Sequence, residues 1–320
     1  MHSPAAAERT NLTIELEKPR GFSLRAAADF YAGFTPGSGM AIAATDRLTL
    51  AFRLDRTFEA VAVELRETAH SLIAEVVGTG DATLLSAQVA RMLGLEADGD
   101  AWHEVGRRDP IVGRLQRRFA GFFTAAKPSP YDAAVWGVVS PRMNMRAAAK
   151  LKLAICEQHG DAVELGGRVH RVFPSPRALL ALPGFPGLSA VKLERLKGVA
   201  RAALAGKLDA ERLRAMDVED ALSELRQLPG VGPWTASHIL FRGAALRDAV
   251  PTVEPRVLHG LADAYALETA TPEMLLRLAE GWRPFRMWVC VLLARHLAEI
   301  GGWNRAELAA ERAALRRRRS

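Results

Sequence analysis

Cysteine is nearly absent from this chain: of 320 residues, only Cys156 and Cys290 carry thiols. They are far apart and each falls in an apolar helical pattern, so both read as buried structural thiols, and no four-cysteine cluster can be assembled. The eight histidines are scattered, and no group of His, Cys and carboxylates has metal-ligand spacing, so no metal and no other cofactor is expected. Long hydrophobic runs are missing too. The longest, Met287 to Ala294, stops at Arg295 and is far too short to span a bilayer, and the N-terminus lacks a basic-then-apolar signal pattern. The expectation is a cytoplasmic protein with no membrane partner. Internal repeats are absent, and the one biased segment is the basic tail 305–320, ending in Arg316 to Arg319.

What is present is ordinary globular material, 49% hydrophobic and 25% charged, in a chain long enough for two or three domains. The net charge of +7 favours an anionic partner, because surplus Lys and Arg lower the energy of a phosphate backbone and speed encounter. From Leu12 to about Val77 apolar and polar residues alternate at period two, most clearly over 11–16, 47–54 and 60–65. One helix, Ser23 to Tyr31, interrupts them with Ser23 as N-cap. These features predict an α+β N-terminal domain over 1–104. Beyond Asp109 strand signals are scarce and amphipathic helices dominate, set off by breaks such as Pro-Ser-Pro (128–130), Gly-Gly (166–167) and Pro-Gly-Phe-Pro-Gly (183–187). An all-α domain over 105–304 is therefore expected, and a mainly α protein overall.

Residues 228–238 read Leu-Pro-Gly-Val-Gly-Pro-Trp-Thr-Ala-Ser-His. An amphipathic helix over Asp217 to Gln227 runs into this Gly-x-Gly turn, and Pro233 opens a second helix where its missing N–H costs nothing. Gly230 and Gly232 allow positive φ and close approach, with the N–H groups of the new helix facing outward, an arrangement suited to a phosphate oxygen. Leu228, Gly230, Gly232 and Thr235 are the candidate phosphate-binding residues, and the hairpin carbonyls are the one place where a monovalent cation fits.

These eleven residues resemble the helix-hairpin-helix signature of the DNA base-excision glycosylases, and the resemblance extends through 247–257 and Trp-Arg-Pro-Phe-Arg (282–286). Within that superfamily the chain resembles the AlkA-type 3-methyladenine DNA glycosylases, which place a Trp just after the hairpin and a similar Trp-Arg-Pro motif near the end. The similarity covers 105–300 well and the first hundred residues loosely. It implies a helix-hairpin-helix glycosylase domain behind the α+β domain, and a monomer acting on double-stranded DNA with alkylated or abasic lesions. The branches with a four-cysteine iron–sulfur loop are excluded by the cysteine count.

Such an enzyme must extrude the nucleotide, hold the base and stabilise positive charge on the deoxyribose, and the last task calls for a carboxylate near C1′. The family places an Asp there, and the matching residue here is Glu254. Glu is not a favoured N-cap, so capping explains this residue poorly; the bland alternative is a solvated Glu at a helix N-terminus. Asp248, which matches a usually structural family Asp, is the second choice. Glycosylases that also cut the backbone use a lysine where this chain has Trp234, so monofunctional action is expected. Trp234 and His238 share a helix face and are expected to line the base pocket, where a positively charged alkylated base would stack on the indole; core packing is the alternative for Trp234. Trp282 reads as pocket wall or core, and Arg286 as an intramolecular partner.

A second departure is Pro141, where the family carries a Gln in the loop that fills the gap left by the flipped base. Arg142 or Met143 is the expected wedge. Arg142, Arg146 and Lys150 recur at four-residue spacing and would form one basic stripe, facing either DNA or solvent. The reading is a glycosylase that removes alkylated bases of the 3-methyladenine and 7-methylguanine class. The alternative is a glycosylase-like protein that binds damaged DNA without cleaving it.

Overall fold

The computed structural model describes residues 10–33, 41–44, 46–78 and 81–301, so the basic tail at 305–320 lies outside the described residues. The chain opens with β1 (Thr10–Glu17), α1 (Leu24–Gly33), β2 (Ala41–Ala43), β3 (Arg47–Arg53), β4 (Ala60–Glu67) and β5 (Ser71–Gly78). Helices α2 (Ala82–Leu93), α3 (Gly99–Arg108), α4 (Pro110–Arg118), α5 (Pro130–Val139) and α6 (Met145–His159) follow, then a hairpin of β6 (Asp161–Leu165) and β7 (Arg168–Val172). Next come α7 (Pro176–Ala181), α8 (Ala190–Leu204), α9 (Ala210–Ala215), α10 (Val218–Arg226) and α11 (Pro233–Ser237), which continues as a π-helix, His238–Gly243. The chain closes with α12 (Pro255–Ala264), α13 (Pro272–Ala279) and α14 (Arg286–Glu299).

Among the described residues the elements gather into two compact units, one holding the chain up to Asp98 together with Gly121–Leu246, the other holding Gly99–Ala120 and the chain from Arg247 on. The boundary expected at 104/105 does not coincide with this division. The change from strand to helix periodicity marks where element type changes. Which helices pair is decided by apolar faces distant in sequence.

In the first unit the five antiparallel strands run in the order β1-β5-β4-β3-β2. Register places Leu50 opposite Val63 and Val63 opposite Val76, and all three are buried, so one apolar row crosses the sheet. Helix α1 packs across β2, β3 and β4. Small residues occupy the other face, where Ala51 and Ala62 meet Val163 and Val172 of the β6–β7 hairpin. That hairpin was not expected. Gly166 and Gly167 both have positive φ, +60° and +70°, which makes the Gly-Gly pair a type I′ hairpin turn rather than a break between helices.

Helix α5 is buried along its length, with Ser129 capping it and Pro130 at its first position. At its start Lys127 is wholly buried, its Nζ 3.7 Å from Asp132 Oδ2, and Lys152 Nζ donates to Asp132 Oδ1 at 2.7 Å. Burial pushes the Lys127 ammonium down to about 7, against the pull of Asp132. Burial also raises the Asp132 carboxyl, but Lys152 and Lys127 outweigh it and hold the group below its usual range.

The second unit is built around Trp102 of α3, whose ring centroid lies 5.5 Å from Phe285 and 5.4 Å from Trp288. Helices α12 and α14 cross at Gly260, where a Cβ would fall 2.3 Å from Leu293 O. This contact fixes the helix that Glu254 opens. Cys156 and Cys290, one in each unit, are buried free thiols.

Candidate functional site

The hairpin falls in the first unit and the carboxylates Asp248 and Glu254 in the second. In the first unit, α10 ends at Arg226 and the chain reverses through a turn closed by Val231 N donating to Leu228 O at 3.0 Å. Gly230 has φ +84°, and a Cβ there would fall 2.4 Å from Arg195 Cδ. Gly232 differs from expectation. Its φ is −90°, which any residue adopts, and nothing lies within 4 Å of its would-be Cβ. It is the N-cap of α11 and supplies no side-chain cap, so the first turn of the helix is left without that partner. Pro229, Gly230, Gly232 and Pro233 are exposed and Leu228 is half-buried, so the turn faces outward.

Thr235 does not face outward. Its side chain is buried, and its Cγ2 lies 2.3 Å from where a Cβ on Gly137 would be, so its methyl packs on α5. One turn apart, Trp234 and His238 stack with centroids 5.0 Å apart and planes at 9°. The indole is half-buried and the imidazole buried. The π-helix that follows is a feature that recurs at functional sites, and nothing in the sequence reading pointed to it.

The loop 140–144 also belongs to this unit. Arg142 and Arg146 are exposed and Met143 is half-buried. The expected stripe is not one helix face: α6 starts at Met145 with Asn144 as N-cap, so Arg146 and Lys150 are helical, whereas Arg142 lies in the preceding turn at φ +61°. Asn144, a residue type favoured at helix starts, accepts Ala147 N at 2.8 Å and so opens the helix after Arg142. Lys192 of α8 donates to Val139 O at 2.6 Å and to Pro141 O at 2.9 Å. Sequence reading did not single it out, since its partners lie some fifty positions away.

In the second unit Asp248 is taken up by arginines: Arg286 Nε donates to its Oδ1 at 2.7 Å and Nη2 to its Oδ2 at 3.1 Å, while Arg283 Nη1 reaches Oδ2 at 2.9 Å. Glu280 bridges the same two arginines. Asp248 thus anchors a network with Arg283, Arg286 and Glu280. Glu254 corrects the capping argument. Its carboxylate does cap α12, accepting Arg256 N at 3.2 Å, and Arg256 Nε and Nη2 grip it at 2.9 and 3.0 Å. The longer Glu side chain reaches back to this fork, which the general N-cap ranking does not anticipate.

Trp282 is a core residue rather than a pocket wall. It is fully buried, and its Nε1 donates to Asp109 Oδ2 at 2.9 Å. The Tyr265 hydroxyl donates to the same oxygen at 2.5 Å. Among the described residues no group of His, Cys and carboxylates could hold a metal ion, and no helix is long and apolar enough to cross a membrane.

No protein-family model matches the chain. The DNA-3-methyladenine glycosylase of Bacillus subtilis is 28% identical over 209 residues, 63% of this chain and 69% of that protein. The DNA-3-methyladenine glycosylase 2 of Escherichia coli is 26% identical over 201 residues, 60% of this chain and 65% of the relative. The solved 3-methyladenine DNA-glycosylase from Archaeoglobus fulgidus superposes with TM-score 0.72 at 22% identity, covering 89% of this chain and 97% of that one. Motifs, sequence similarity and fold point the same way.

Proposed function

We infer that this chain is an AlkA-type DNA glycosylase of the helix-hairpin-helix fold, an enzyme of base-excision repair that hydrolyses the N-glycosidic bond of alkylated bases. One observation carries the reading: an outward hairpin with Gly230 in the left-handed region opens an uncapped helix that leads within one turn to the stacked pair Trp234 and His238. The relatives that the sequence matches carry the same activity in their names.

In this reading the backbone around Gly230 and Gly232 holds a DNA phosphate, and the exposed Arg142 and Arg146 meet the duplex. The extruded base stacks on the Trp234 indole, a favourable site for a 3-methyladenine or 7-methylguanine ring carrying positive charge. Such a base leaves with the electrons of its bond to C1′, water adds its oxygen to C1′, and the water proton passes to a nearby acceptor. Glu254 is that acceptor and also stabilises the cation on the sugar as it forms. Asp248, held by Arg283 and Arg286, keeps its loop in shape.

Water is the only nucleophile needed, and the position of the lyase lysine is filled by Trp234, so the proposed product is an abasic site with an intact backbone. The reading needs no cofactor. It also takes the protein as a monomer acting in the cytoplasm. Incubation with methylated duplex tests it: release of methylpurines, with strand cleavage only after alkali, supports the reading. Tight binding of abasic-site duplex without release would leave a non-cleaving lesion reader instead.

A further inference from the structure

Between α5 and α6 the chain reverses in four residues, Ser140 to Met143, closed by Met143 N donating to Ser140 O at 3.1 Å. Pro141 in the second position and φ +61° at Arg142 in the third are the marks of a type II turn. Glycine normally fills that third position, and an L side chain there is strained. A contact from outside the turn must favour it. In a type II turn the peptide between the second and third residues is flipped relative to type I, so its carbonyl, Pro141 O, points to the opposite side.

Lys192, in the first turn of α8, is placed to select that flip. Its Nζ donates to Pro141 O at 2.9 Å and to Val139 O at 2.6 Å. Val139 O is among the last carbonyls of α5, which lack an intrahelical partner, and the negative end of the helix favours an ammonium there. The type I alternative would turn Pro141 O away and lose half of this clamp. Burial, together with the nearby Arg142 and Arg195 guanidiniums, lowers the Lys192 pKa from its ordinary value. Arg195 in turn lies against Gly230. One face of α8 therefore borders both the hairpin and the 140–143 turn.

We propose that Lys192 is a positioning residue that locks the 140–143 turn in the form presenting Arg142, and that Arg142 rather than Met143 is the side chain inserted beside an extruded nucleotide. The proposal rests on the glycosylase reading above. It also accounts for Pro141: a fixed φ at the second position of the turn, with a carbonyl for Lys192, takes over the shaping of the loop without a side-chain amide.

The test uses the full chain and a duplex with 2-aminopurine beside a tetrahydrofuran abasic analogue, since this fluorophore brightens when a wedge unstacks it. The wild-type protein should brighten it, and Lys192→Met should cut the amplitude about tenfold at saturating protein, the loss expected for charge-assisted hydrogen bonds. Lys192→Arg, which keeps donors for both carbonyls, should restore most of it. Arg142→Gly carries the idea independently of how well Lys192→Met folds: relieving the left-handed strain should raise the thermal midpoint while the fluorescence response falls as far as in Lys192→Met. A turn with only a structural role would not move these two readouts in opposite directions. Full amplitude in Lys192→Met overturns the positioning role, and full amplitude in Arg142→Gly overturns the choice of Arg142. A silent wild-type protein overturns the DNA reading itself, and the comparison with the variants tells these failures apart.

Discussion

The indole of Trp234 lies parallel to the imidazole of His238, with ring centroids 5.0 Å apart and planes 9° apart. The stack covers one indole face and fixes its tilt, so the ring is braced before any base arrives. Replacing Trp234 by Ala should therefore lower kcat/KM for a cationic methylpurine by about thirtyfold, in line with a loss of ~2 kcal/mol for a desolvated cation–π contact. His238→Ala should cost less, because the indole remains but can tilt. Steady-state kinetics on methylated duplex would check both. Equal losses for a neutral and a cationic substrate base would argue against the stacking role.

The two hairpin glycines should behave differently. Gly230→Ala places an L side chain at φ +84° and forces Arg195 to move, so unfolding free energy should fall by roughly 1–2 kcal/mol and DNA affinity should drop with it. Gly232→Ala meets neither strain nor neighbour and should lower the thermal midpoint only slightly, by the small cost of placing Ala rather than Gly at the N-cap of α11. Thermal melts and fluorescence anisotropy on one abasic duplex separate the two cases.

Trp282 should matter for stability and not for the choice of lesion. Trp282→Phe removes the N–H that Asp109 accepts, at a cost of about 1–2 kcal/mol in denaturant unfolding. The ratio of 3-methyladenine to 7-methylguanine release should stay as in the wild type. A changed ratio would put Trp282 back beside the base.

Lys127 should leave a mark on stability against pH. With its folded pKa near 7 and an unfolded value of about 10.4, the unfolded chain binds more protons between those limits, so the Lys127 contribution rises with pH across that window. Below pH ~7 both states are protonated and its cost is constant and complete. Lys127→Met should thus gain most over wild type at neutral pH and below, and the gap should close as pH approaches 10. Urea titrations at a series of pH values would show it; a gap independent of pH would contradict the assignment.

Much of the fold was legible where the signal is local. Alternation at period two marked the strands that became β1, β3 and β4, and Asp217 and Pro233 marked the helices flanking the hairpin. What stayed hidden depends on contacts distant in sequence. The β6–β7 hairpin owes its place to Ala51 and Ala62 beneath it, and the division into units to Trp102 meeting Phe285 and Trp288. At the site, residue types were readable but orientations were not. Thr235 faces inward because Gly137 leaves room for it, and Trp282 is buried because Asp109 accepts its N–H. Arg256 was closer to hand, two positions after Glu254 across the helix start, yet only the folded backbone shows its fork closing on the carboxylate.

In the proposed mechanism Glu254 supports glycosidic hydrolysis although it caps α12 and is gripped by Arg256. Glu254→Gln keeps an oxygen to accept Arg256 N and Nε but turns the oxygen that faces Arg256 Nη2 into a donor, so the cap is kept while the charge and one arm of the fork are lost, and the melting temperature should fall only slightly. The most direct measurement is the single-turnover rate of methylpurine release from alkylated duplex by wild type and Glu254→Gln, with abasic-duplex affinity measured alongside. A loss of about a hundredfold or more in the rate, with affinity retained, is expected for a charge acting on the transition state. Equal rates in the two proteins would contradict the account and move the chemistry away from Glu254.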